Sequence, residues 1–123
     1  MIDFDLNLEQ HILTLRPKGA LSEKDFLRVA EIVDPEIECS GDLAGVIIQA
    51  EDFPGWENFA GMLSHFRFIR DHHQHIKKVA FVSDATVLHI FPHIAAHFIL
   101  AEIKHFPFDD YAAAIRWIKE EGE

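Results

Sequence analysis

A chain of 123 residues can build one hydrophobic core and is too short for two. Apolar residues at 49% and charged residues at 26% exclude disordered and collagen-like classes. A net charge of −10 argues against nucleic acid and against an anionic leaflet, because both are bound through Lys and Arg.

The opening MIDFDL alternates, with Ile2, Phe4 and Leu6 on one face, as a half-buried strand does. HILTLR repeats the pattern with Leu13 and Leu15, and the short NLEQ between them predicts an antiparallel hairpin. After PKGAL, Ser22 is placed as an N-cap with Asp25 three residues on, and Leu21 can staple against Phe26. Phe26, Val29, Ala30 and Val33 recur at helical spacing, and Asp34-Pro35 predicts the end of that helix. LAGVIIQA (43–50) reads as a central strand covered on both faces, and EDFPGW as a loop built on Pro54-Gly55.

A second helix carries Phe59, Met62, Leu63, Phe66 and Ile69 on its inner stripe and ends near DHHQH (71–75). Phe68 falls off that stripe beside His65 and His72, which predicts an outward-facing ring there. KKVAFVSD reads as another buried strand and ATVLHIFPHIAAHF as a third helix. AEIKHF alternates as an edge strand, and DDYAAAIRWIKEE closes the chain as a helix with acids in its first turn. Its inner stripe is Tyr111, Ala114, Ile115 and Ile118. The order β-β-α-β-α-β-α-β-α predicts an α/β fold: a mostly parallel sheet of about five strands, opened by the antiparallel hairpin. With no repeat or Gly/Ser linker, residues 1–123 form one domain.

The lone Cys39 cannot form an internal disulfide. The acidic start shows no basic stretch leading into an apolar run, and no apolar stretch reaches spanning length. A cytoplasmic location without stable membrane insertion is expected.

Nine histidines raise the question of a metal. In DHHQH, His72 and His75 stand three apart but have no Cys or Glu close in sequence to complete a ligand set, so a solvated helix end is expected, with histidine meeting the last carbonyls. His89, His93 and His97 follow an i, i+4, i+8 spacing that places the outer two about 12 Å apart, too far for one ion. Pro92 interrupts that turn. No metal and no cofactor are expected.

In open α/β sheets ligands gather at the carboxyl ends of strands, which here lead into Glu51, Asp52 and Phe53, and into Ser83, Asp84 and Thr86. G-x-S-x-G, P-loop, G-x-G-x-x-G and H-E-x-x-H sequences are absent, so nothing nominates an enzyme.

Four stretches together resemble the SpoIIAA-like family of small bacterial STAS-type domains: DFPGW (52–56), KKVAFVSD (77–84), AEIKHF (101–106) and AIRWI (114–118). The resemblance implies a sheet of about five strands with helices around it. It also implies two roles. Sporulation-type STAS domains are antagonists of anti-sigma factors, switched by phosphorylation of a serine at the start of the helix after the central strand. Here that region reads EDFPGWENFAGM, with no Ser or Thr, so the switch does not carry over. Kinship with CRAL-TRIO lipid-carrier domains implies instead a site for a small apolar or amphipathic molecule. Phe53, Trp56, Phe59 and Phe91 would supply its aromatic surface, with Asp84 and His89 orienting a polar head. The expected function is thus a non-enzymatic domain binding a lipid-like ligand and self-associating as a homodimer. A STAS-type protein-interaction module without the phosphoswitch is the alternative, and a metal-dependent enzyme the third reading.

Overall fold

Asn7 shapes the first turn of the chain. Its side-chain oxygen accepts from the backbone N–H groups of Glu9 and Gln10, each at 3.0 Å, so the chain reverses between β1 (Ile2–Asn7) and β2 (Ile12–Pro17). The two strands pair antiparallel from Asn7↔Ile12 to Ile2↔Pro17. His11 takes a left-handed conformation (φ 57°), and its carbonyl accepts from the Ala44 N–H at 2.8 Å, joining the hairpin to the next strand. The computed structural model describes residues 2–49, 64, 67–68, 71–72, 75–82 and 102–120.

Helix α1 (Glu23–Ser40) opens with the predicted capping box. The Ser22 N–H donates to the Asp25 carboxylate at 2.8 Å, and the Asp25 N–H donates back to the Ser22 hydroxyl at 3.4 Å. Asp25 also accepts from the Ile2 N–H, while Arg28 donates to the Ile2 carbonyl at 2.6 Å, so the first turns of α1 grip the edge strand by both backbone groups. The helix does not stop at Asp34-Pro35, as the sequence suggested. Pro35 lies inside it, and the end falls at Gly41, whose positive φ of 89° suits glycine. Proline removes one donor, but Asp34 is bound by His72, Glu36 faces His11 and Ile37 packs on the core. Those tertiary contacts outweigh the local preference.

Strands β3 (Leu43–Gln49), β4 (Ile76–Val82) and β5 (Glu102–Phe106) complete a five-stranded sheet in the order β1-β2-β3-β4-β5. All pairs after the hairpin are parallel. The expected α/β architecture, with its N-terminal hairpin and mostly parallel sheet, is the one observed. One face buries Leu13, Val46 and Val79 under Phe26, Val29 and Val33 of α1. The opposite face buries Ile12, Ile47, Ala80 and Phe106 under Ala114 and Ile118 of α2 (Tyr111–Lys119). Each buried Leu, Ile, Val or Phe side chain among these contributes about 1.5–3 kcal/mol relative to exposure.

Helix α2 is fixed at both ends. Asp110 caps its start, so the acids sit just before the helix and not in its first turn. At its end Lys78 Nζ donates to the Trp117 and Glu120 carbonyls, each at 2.9 Å, and lies 5.0 Å from the Trp117 ring centre. The expected second helix, ending within DHHQH at about His73, and the expected helix over 85–98 fall largely outside the described residues; residues 64, 67–68 and 71–72 are helical.

Candidate functional site

Gln49 ends β3 and Val82 ends β4, and the two are partners in the parallel ladder. Phe53, Trp56 and Phe59 therefore follow one strand end in the chain, and Asp84, His89 and Phe91 follow its immediate neighbour. These six expected ligand-binding residues lie outside the described residues.

Beside these strand ends stands a polar group that the described residues do define. Strand alternation puts Thr14 and Arg16 on the face opposite Leu13 and Leu15. Thr14 is buried, and its hydroxyl lies 2.6 Å from the Tyr111 hydroxyl at the start of α2. Arg16 Cζ sits 5.6 Å from the Tyr111 ring centre, and its Nε donates to Gln49 Oε1 at 2.9 Å. Asp3, opposite Arg16 in the hairpin, is held by Lys18 at 2.7 Å. The Lys18 hydrogen bond and charge keep the Asp3 carboxyl below its ordinary 3.8. Among the described residues, neither the Thr14 nor the Tyr111 hydroxyl meets a histidine or carboxylate that could act as a base.

The opposite, amino-terminal edge of the parallel strands gathers three histidine–carboxylate pairs. His72 Nε2 lies 2.5 Å from Asp34, His75 Nδ1 lies 3.0 Å from Asp42, and His11 Nδ1 lies 3.3 Å from Glu36. The third is not aligned as a hydrogen bond, which leaves the buried His11 Nδ1 without one. His72 and His75 serve separate carboxylates, and among the described residues no three His, Cys, Asp or Glu are grouped to hold a metal.

Two expectations about this edge need correction. The DHHQH segment is not simply a solvated helix end, because His72 is 7% exposed. As expected of a histidine there, its Nδ1 meets the Phe68 carbonyl, at 2.7 Å. Asp34 meets the other ring nitrogen. Phe68 does not face outward. It stacks on His72 with ring centres 4.1 Å apart, meets Phe26 at 6.1 Å, and packs against the core under α1. A helix lying over a sheet and beside another helix buries two sides, whereas a single stripe assigns only one. A cavity of about 20 Å³ among Leu13, Leu15, Val33, Val46, Phe68 and His72 holds one water-sized space. It is far below the roughly 300 Å³ at which ligand pockets begin.

Within helix α1's cap, burial pushes the Asp25 carboxyl up, but the Ser22 backbone hydrogen bond, the N-terminal ammonium and the Ser22 hydroxyl together outweigh it and leave the group below 3.8.

An α/β domain with a hairpin opening a five-stranded, mostly parallel sheet in sequential order is the class these features define. The chain belongs to the SpoIIAA-like family, whose sequence pattern matches residues 12–119. A crystal structure of an uncharacterised protein from Shewanella loihica, described as having a SpoIIAA-like fold, superposes with a TM-score of 0.72. It shares 17% identity and the alignment covers 96% of this chain and 92% of that one, a likeness of fold. No curated protein matches the chain. Family and fold together support a binding or regulatory domain in general. Among the described residues no helix is long and apolar enough to cross a membrane.

The sequence reading missed Thr14, Arg16, Gln49 and Tyr111 as a group. A signal existed: Thr14 and Arg16 occupy the second face of a strand whose neighbour is buried on both faces, and Gln49 ends an apolar run. Only the fold, however, brings Tyr111 across from 97 residues away.

Proposed function

We propose that the domain binds a small apolar or amphipathic ligand, without catalysing a reaction, at the carboxyl ends of β3 and β4. The observation that carries this reading is the in-register pairing of Gln49 with Val82. It starts the aromatic segment of Phe53, Trp56 and Phe59 and the segment of Asp84, His89 and Phe91 from neighbouring strand ends, where open α/β sheets bind ligands. Four aromatic side chains supply apolar surface, and Asp84 and His89 orient the polar end of the ligand. The domain works in the cytoplasm as a homodimer.

Native mass spectrometry of protein purified from its own host, followed by solvent extraction, tests this reading. A co-purifying apolar species that disappears in Trp56→Ala/Phe59→Ala supports it. A bare protein mass, with no uptake of added long-chain amphiphiles, contradicts it. Sedimentation at micromolar concentration tests the dimer, and a monomer throughout that range overturns that part.

The second reading is a protein-interaction module that works without phosphorylation. It is favoured by membership of the SpoIIAA-like family together with the absence of Ser and Thr from EDFPGWENFAGM. A stoichiometric protein partner recovered with ligand-free domain would select it.

A further inference from the structure

We propose that Arg16, seated on Tyr111 and held by Gln49, is an oxyanion-binding residue that takes the carboxylate or phosphate head of an amphipathic ligand. This deepens the apolar-ligand reading, and it rests on that reading only for the ligand's tail.

The Arg16 side chain is oriented before any ligand arrives. Its Nε is committed to Gln49 Oε1 at 2.9 Å, and its guanidinium carbon lies 5.6 Å from the Tyr111 ring centre. Tyr111 is in turn anchored by its hydroxyl to the buried Thr14, 2.6 Å away. The strand, the neighbouring strand end and helix α2 thus each restrain the same cation. What remains are the two terminal nitrogens, which carry four N–H donors in a planar fork suited to a carboxylate or phosphate.

Nothing among the described residues uses that fork. The nearest cross-strand carboxylate, Asp3, is taken by Lys18 at 2.7 Å, and no described carboxylate forms an ion pair with Arg16. Arg16 thus has no carboxylate at ion-pair distance among the described residues, although its charge reaches Asp3 and helps to lower that carboxyl, in a chain where acids outnumber Lys and Arg by 21 to 11. The surrounding negative field disfavours an anion in general, so retention of one requires a local, pre-oriented donor of this kind. The location agrees: Gln49 precedes Phe53 by only four residues in the chain. A head at Arg16 would therefore lie beside the strand end from which the aromatic segment continues in the chain.

The test uses three probes on the full chain: inorganic phosphate, oleate below its micelle concentration, and oleyl alcohol. Binding is read by titration calorimetry and by the Arg16 Nε–H resonance. The variants are Arg16→Met and, since that change could disturb packing, Gln49→Glu, which keeps Arg16 but gives it an internal carboxylate. We expect wild type to prefer oleate to oleyl alcohol by about tenfold or more, and both variants to lose that preference while still binding the alcohol.

If phosphate alone shifts the Arg16 resonance and neither amphiphile binds, the oxyanion site stands as one for a free anion and the apolar-ligand reading falls. If both amphiphiles bind equally in wild type and variants, and phosphate leaves the resonance unmoved, the Arg16 proposal is overturned while the apolar-ligand reading stands. Binding of none of the three overturns both.

Discussion

A Cβ added to Gly45 would lie 2.6 Å from Cγ2 of Ile118, with two further atoms of that side chain within 2.9 Å. Glycine in the middle of a central strand is what lets α2 rest directly on the sheet. Gly45→Ala is therefore expected to destabilise the domain by about 1–3 kcal/mol, since Ile118 is buried and three of its atoms must move together. Combining it with Ile118→Val should cost less than the sum of the two single changes. Denaturant unfolding of the four proteins checks this, and strict additivity would show that the two positions do not touch.

The His72–Asp34 contact joins α1 to the segment leading into β4, across 38 residues of chain. A double-mutant cycle with His72→Phe and Asp34→Ala isolates it, since phenylalanine preserves the stack on Phe68. A coupling of about 1–2 kcal/mol at neutral pH is expected for a charge-assisted bond with one buried partner. A coupling within error of zero would make the contact incidental to stability.

Asp25 sets an acid limit on the cap of α1. Its folded value lies below the ordinary 3.8, so its contribution is fully present above that value and is lost as pH falls through the folded value. Asp25→Asn should lower stability by about 1 kcal/mol at pH 7 and then lose less than wild type on acidification. The two stability curves should converge as pH falls below 3.8 and through the folded value. Curves that run parallel from neutral to acid pH would remove Asp25 from the acid response.

Much of the fold was legible because the local signals agree with the global ones. Alternation in MIDFDL and HILTLR, the Ser22–Asp25 cap and the apolar run of β3 each point to the element observed. Where they conflict, tertiary contact prevails: Pro35 is carried inside α1 because His72, His11 and the core hold the helix on its far side. Phe68 was misplaced for the same kind of reason, since a second buried side of its helix exists only once α1 lies next to it.

The site was less legible. Phe53, Trp56, Phe59, Asp84, His89 and Phe91 were nominated from their nearness to strand ends, and they lie outside the described residues. The strand ends themselves are paired as neighbours, which periodicity alone does not specify. Arg16 offered no motif; its significance comes from where Tyr111 and Gln49 are brought to meet it.

An apolar guest bound against the aromatic segment after β3 would be reported directly by Trp56. The chain has two tryptophans, so Trp117→Phe leaves Trp56 as the sole indole emitter. Titration of that variant with a brominated long-chain fatty acid, below its micelle concentration, should quench Trp56 fluorescence saturably at about one ligand per chain. Fluorescence that stays unquenched, or falls linearly without saturation, would contradict the account.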